Sequence, residues 1–253
     1  MISGFLRALQ FLTIIRVSKD LEMTEKQLAG SMSWFPLVGL VVGLILAGVR
    51  YVTDMVFPPA VADVMAIITL VVVAGALHLD GLADTVDGLA GGKNRERILA
   101  IMRDSQIGSF AVVALILVIL LKIAALIEGP ADMKYRTLLV MPVLGRWSTV
   151  QLASCFRYAR SGPGVAEAFT QFAGKKEFLV SSLITAAIVF GLFLWHGVLI
   201  VAIIGGFTML FGLFFKRRIG GVTGDIMGAA CELSEVVTLL LLCALFMLSL
   251  IHI

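Results

Sequence analysis

The chain has 253 residues, 60% hydrophobic and 15% charged, with a mean hydropathy of +1.04. Soluble domains average roughly 45–50% apolar and about 25% charged, so a soluble fold, a disordered chain, a fibrous repeat and a disulfide scaffold are all excluded, which leaves a polytopic membrane protein. A formal charge of +3 is too small to point to nucleic acid, and Cys155, Cys231 and Cys243 are scattered, with no spacing that suits a disulfide framework or zinc.

In chain order, the first residues predict an amphipathic helix lying on the membrane surface. Ser3, Arg7 and Gln10 fall at i, i+4 and i+7, while Phe5, Leu6, Leu9, Leu12 and Ile15 fill most of the rest. A signal peptide would need a basic start and a small-residue cleavage site, and neither is present. A bilayer core of roughly 30 Å needs about 20 apolar residues in a helix. Such stretches run over 34–53, 61–79, 109–127, 137–155, 178–195, 198–215 and 236–251. They predict an all-α bundle of about seven transmembrane helices, with 1–253 as a single catalytic domain, 1–30 as an interfacial segment, and 80–108 and 216–235 as cytoplasmic active-site segments. Only His196 and Gly197 separate the fifth and sixth stretches, so one long helix and a tight hairpin both stay open. The basic residues favour two helices: alternate segments then hold 15 Lys and Arg on one side and 3 on the other. Merging the pair would put Lys216, Arg217 and Arg218 on the poor side. The excess marks the cytoplasm, so the N-terminus is expected inside and the C-terminus outside.

The acids gather at two places. In 78–88, HLDGLADTVDG, continuation of the second span as a helix puts Asp80, Asp84 and Asp87 within about 60° of one another, a single acidic stripe among apolar Leu82, Ala83 and Val86. Like charges on neighbouring turns repel unless a cation lies between them. A solvated helix end is the plain alternative. The sharper one is a Mg²⁺ site that also holds substrate phosphates, since hard oxygen ligands suit that ion. His78 falls opposite Asp80, as a supporting partner, a general base or an interfacial residue. The following loop is basic, with Lys93, Arg95, Arg97 and then Arg103-Asp104, and glycines at 88, 91 and 92 permit close approach. For Lys93, Arg95 and Arg97, positive-inside topology and phosphate binding both stay open; Arg103 and Asp104, beside the next span, are favoured as substrate- or phosphate-site residues. The second acidic place is 224–235, GDIMGAACELSE, where Asp225 and Glu232 share a helical face; acids at an ordinary helix start are the alternative. Arg146 sits mid-span, which makes it a functional candidate by default. Lys122, near a span end, reads as able to snorkel.

HLDGLADTVDG at 78–88, IMRDSQIG at 101–108, GRW at 145–147 and TGDIMGAACELSE at 223–235 together resemble the cobalamin-5′-phosphate synthase family, also called adenosylcobinamide-GDP ribazoletransferases. FLTIIRV and WFPLVGLVVG near the start are similar as well, so the resemblance covers nearly the whole chain. It implies a Mg²⁺-dependent enzyme of the prokaryotic cell membrane that joins adenosylcobinamide-GDP to α-ribazole or its 5′-phosphate and releases GMP. Under that reading Asp80, Asp84, Asp87 and Asp225 are expected to bind Mg²⁺. Asp225, Glu232 and His78 are then candidates for the base, and Arg95, Arg103, Asp104 and Arg146 for phosphate binding. The partners expected are small-molecule substrates and the lipid bilayer, with no nucleic acid; the oligomeric state is left open, a homo-oligomer included.

A CDP-alcohol phosphotransferase is the nearest rival, but it places Ala-Arg where Asp84-Thr85 stands and spreads its aspartates more widely. A polyprenyl transferase also has two acidic clusters. An ion-coupled transporter would set its acids deep in the membrane between broken helices.

Overall fold

The structure, a computed structural model, describes residues 2–17, 24–160 and 165–251. The described residues are overwhelmingly helical. In order they form α1 (Ile2–Leu12), α2 (Glu25–Ser31), α3 (Phe35–Asp54), α4 (Pro59–Val73), α5 (Leu77–Gly91), α6 (Arg95–Ile101) and α7 (Ser109–Glu128). Then follow α8 (Lys134–Cys155), α9 (Val165–Phe172), α10 (Lys175–Phe193), α11 (Trp195–Ile219) and α12 (Gly224–Ile251). Lys19, one of the 15 basic residues on the richer side, lies outside the described residues.

The stretches expected to span the membrane fall on helices, the second of them divided between α4 and α5. Glu25–Asp54, α7, α10, α11 and Gly224–Leu245 of α12 are each long and apolar enough to cross by themselves. Two others depart from the simple picture. The second stretch does not continue into the aspartates: Gly75 and Ala76 take left-handed φ values of 58° and 56°, and α5 leaves α4 at 84°. Two left-handed residues in succession stop the i→i−4 ladder and turn the chain, so the acidic stripe rides on a helix of its own. The other is α8, long enough but more polar than its neighbours.

Its position explains that polarity. α8 packs against α3, α9, α10, α11 and α12 and is buried along most of its length, facing protein rather than lipid. Small residues let α3 come close: a Cβ on Gly39 would lie 2.5 Å from the Pro142 carbonyl oxygen, and one on Gly43 2.7 Å from that of Leu138. Pro142 has no N–H to give Leu138, so that carbonyl faces the bare Cα of Gly43 instead. Gly39→Val should therefore force α3 off α8 and cost about 3 kcal/mol. Detergent-solubilised protein would show a lower unfolding midpoint; an unchanged midpoint would refute the close crossing.

α10 and α11 are separate helices. The chain reverses at Leu194, which takes φ 50° and ψ −130°, and Gly197 fits against the Val189 carbonyl, where a Cβ would approach to 2.9 Å. α1 is amphipathic as expected, and its inward side, Ala8, Leu9 and Leu12, is buried against the bundle. At one end of the molecule Arg50 donates to Asp63 at 2.7 Å, Lys134 donates to the other Asp63 oxygen, and Arg50 lies 5.1 Å over the Tyr135 ring. These contacts tie α3, α4 and α8 together.

Candidate functional site

The opposite end collects the sequence motifs. There α5 crosses the start of α12, and glycine makes the crossing possible: a Cβ on Gly81 would sit 2.8 Å from the Asp225 carbonyl oxygen, and Gly228 packs against Gly81 and His78 in return. The two acidic motifs, 145 residues apart from Asp80 to Asp225, thus share one place. Asp84 lies within electrostatic reach of Asp225, Asp80 and Asp87, with Arg160 as the opposing charge. Asp80 is exposed, whereas Asp84, Asp87 and Asp225 are half-buried.

The members of this group are held unequally. Asp225 accepts from Arg160 at 2.6 Å and from the Thr223 hydroxyl at 3.2 Å, while Thr223 also accepts from the Ile226 N–H at the helix start. Asp87 has another engagement: its two oxygens accept from the N–H groups of Gly108 and Ala111, the latter at 2.9 Å, and so cap α7 from the side. Removing that cap should cost about 1–2 kcal/mol. Asp87→Ala is accordingly expected to speed amide exchange in the first turn of α7, and Asp87→Asn, which keeps one acceptor oxygen, to do so less; equal exchange in wild type and Ala would contradict the capping role.

Arg160 entered the sequence reading only as a loop charge, yet it is central here. Beyond Asp225 it donates to the Met102 carbonyl at 3.1 Å, and its Nε is buried with no hydrogen-bond partner among the described residues. Arg95 clamps two chain links, donating to the carbonyls of Ile219 at 2.7 Å and Ala159 at 2.8 Å. Those links are also joined by the isolated bridge between Tyr158 and Val222. Arg95, Arg103 and Arg160 line a cavity of about 240 Å³, and Asp104 lies exposed beyond Arg103.

A second cavity, of about 280 Å³, is lined by Asp225 itself. Asp80, His78 and Thr149 are its other polar residues, and Phe11, Phe35 and Phe169 give it an aromatic lining. The Nδ1 of His78, a residue only 4% exposed, has no hydrogen-bond partner among the described residues.

Glu232 and Arg146 do not join the aspartates. The segment 224–235, expected as a cytoplasmic approach, is the first part of α12, and Glu232 lies two turns deeper than Asp225. There Lys122 donates to Glu232 at 2.7 Å and to Glu235, and Glu235 also accepts from Arg146. All four side chains are buried. Lys122 thus does not snorkel; two acids from α12 hold it inside. The pattern in sequence that marks this set is four charges, two of each sign, inside otherwise apolar helices, which a hydropathy window counts as penalties.

Among the described residues no three His, Cys, Asp or Glu side chains are gathered closely enough to close around a metal ion as they stand. Mg²⁺ is commonly held by only one or two carboxylates, with waters and substrate phosphates completing its shell. Asp80, Asp84 and Asp225, repelling one another across the α5–α12 crossing, are a donor set compatible with that mode.

The family model described as cobalamin-5-phosphate synthase matches residues 4–243. The adenosylcobinamide-GDP ribazoletransferase of Geotalea daltonii is 42% identical over 94% of this chain and 96% of its own. Those of Desulforamulus reducens and Acetivibrio thermocellus are each 38% identical, over 93% and 91% of this chain and 94% and 93% of theirs. No solved structure matches the chain. The chain belongs to the cobalamin-5-phosphate synthase family and is a transferase with several membrane-spanning helices.

Proposed function

We propose that this transferase moves the adenosylcobinamide phosphate moiety from adenosylcobinamide-GDP to α-ribazole or its 5′-phosphate, giving adenosylcobalamin or its 5′-phosphate and GMP. The observation that carries the reading is the setting of Asp225. It lies beside the α5 carboxylates, lines the aromatic cavity, and accepts from Arg160, which lines the arginine-rich one. That is an arrangement for a charged diphosphate donor on one side and a less polar acceptor on the other.

In the reaction a ribose hydroxyl oxygen of the acceptor bonds to the phosphorus nearer the corrinoid. The bridging P–O bond breaks, and GMP departs with its electrons. Arg160 and Arg103 are suited to grip the phosphate of the departing GMP from the arginine-lined cavity. The hydroxyl proton passes to His78, a residue of the cavity lining, whereas one Asp225 oxygen is already engaged by Arg160 and Thr223. Mg²⁺, held by Asp80, Asp84 and Asp225, would neutralise charge on the diphosphate. Arg146 and Glu232 act at one remove by fixing α7, α8 and α12.

The same reading sets the site on the cytoplasmic side. Arg157 and Arg160 after α8, Lys175 and Lys176 opening α10, and Lys216, Arg217 and Arg218 ending α11 all lie at the helix ends nearest Asp225. Excess basic charge favours the cytoplasm. In liposomes given adenosylcobinamide-GDP, α-ribazole and Mg²⁺, GMP release stoichiometric with cobalamin formation is expected. Arg160→Lys, which loses the planar fork, should lower kcat/KM for the donor at least ~10-fold. Ion-coupled uptake without release would overturn the reading.

A further inference from the structure

The aromatic cavity has a shape and chemistry of its own. Phe11, Phe35 and Phe169 come from α1, α3 and α9 and touch one another, with ring centroids 5.2 Å apart for Phe11–Phe169, 5.9 Å for Phe35–Phe169 and 6.1 Å for Phe11–Phe35. Three segments distant in the chain thus build one aromatic wall. Asp80, Asp225 and His78 complete the lining of the cavity. Two carboxylates beside an apolar wall suit a ligand with hydroxyl groups at one end and a flat apolar group at the other.

We propose that this cavity is the acceptor-base pocket: it takes the planar, apolar base of the acceptor nucleoside against the Phe11–Phe35–Phe169 wall and turns the ribose toward Asp80, Asp225 and His78. The inference rests on the functional reading above and adds to it where the acceptor binds and what selects its base. Aromatic rings prefer offset or edge contacts with another flat ring. A volume of about 280 Å³ is near the lower end of small-ligand sites, which suits a nucleoside and is too small for a corrinoid with its fringe of amides. Guanine fits poorly as well, because its polar edge would lie unpaired against phenylalanine. An acceptor carrying adenine meets the same penalty in milder form, so this wall is the device that discriminates among acceptor bases.

The test uses the full-length protein in liposomes or detergent. Ala166 also lines the cavity, and Ala166→Phe should fill it. Acceptor affinity, measured by direct binding of α-ribazole, is expected to fall at least ~10-fold, with binding of adenosylcobinamide-GDP unchanged. Phe169→Leu, a milder change to the wall, should raise the acceptor KM several-fold and narrow the preference for α-ribazole over its adenine counterpart. If Ala166→Phe fails to fold, Phe169→Leu alone carries the test. Unchanged acceptor affinity and base preference overturn the pocket assignment, as does an equal loss of donor binding. Absence of GMP release by the wild-type protein strikes the functional reading instead, which separates the two failures.

Discussion

Glu235→Gln is expected to remove about 3–5 kcal/mol of stability, the largest single loss in the bundle. Glu235 is fully buried and accepts from both Lys122 and Arg146, while Glu232 accepts from Lys122. As a set the four side chains carry two positive and two negative charges. Neutralising Glu235 leaves one positive charge uncompensated, where neither lipid nor apolar side chains can solvate it. Unfolding in mixed micelles, titrated with a denaturing detergent and followed by circular dichroism, measures the loss. Lys122→Met together with Glu232→Gln removes one charge of each sign and should cost less than the two single changes added. A shift below about 1 kcal/mol for Glu235→Gln would show that the cluster is not the electrostatic core its geometry describes.

Asp84→Asn is expected to behave in the opposite way. Asp84 stands among Asp80, Asp87 and Asp225 with Arg160 alone opposing them. Removing one negative charge relieves repulsion, so the unfolding midpoint should hold or rise while transfer falls about 10²–10³-fold. Divalent cation adds a second readout: Mg²⁺ at 100 times its Kd should stabilise the wild-type protein by about 2.7 kcal/mol and Asp84→Asn by much less. A variant that loses stability, keeps its activity and responds to Mg²⁺ like the wild type would remove Asp84 from the site.

The helices were legible because lipid demands long apolar runs, and α7 or α11 can hardly be read otherwise. The location of the acidic motifs was legible too, since carboxylates at span ends stand out against so apolar a chain. What escaped was decided by pairs. Lys122 and Glu235 each look costly alone and become acceptable only together, and nothing in sequence links residues 113 positions apart. The turn at Gly75-Ala76 has one glycine as its signal, and its second left-handed residue is an alanine that no rule would nominate. Arg160 carries no motif; its importance comes from a bridge between chain links that sets it beside Asp225. Conversely, Asp87 looks in sequence like a third equivalent member of the stripe, yet the nearby start of α7 engages both its oxygens.

The burial of Lys122 and Arg146 against acids of α12 has a bearing on biogenesis. Both cations emerge from the ribosome long before Glu232 and Glu235 are synthesised, so a nascent chain must hold them in the bilayer without their counter-ions. The same helix brings Asp225 to α5. Arrival of α12 therefore neutralises the interior and completes the candidate site in one event, and a translation product halted before it would lack both.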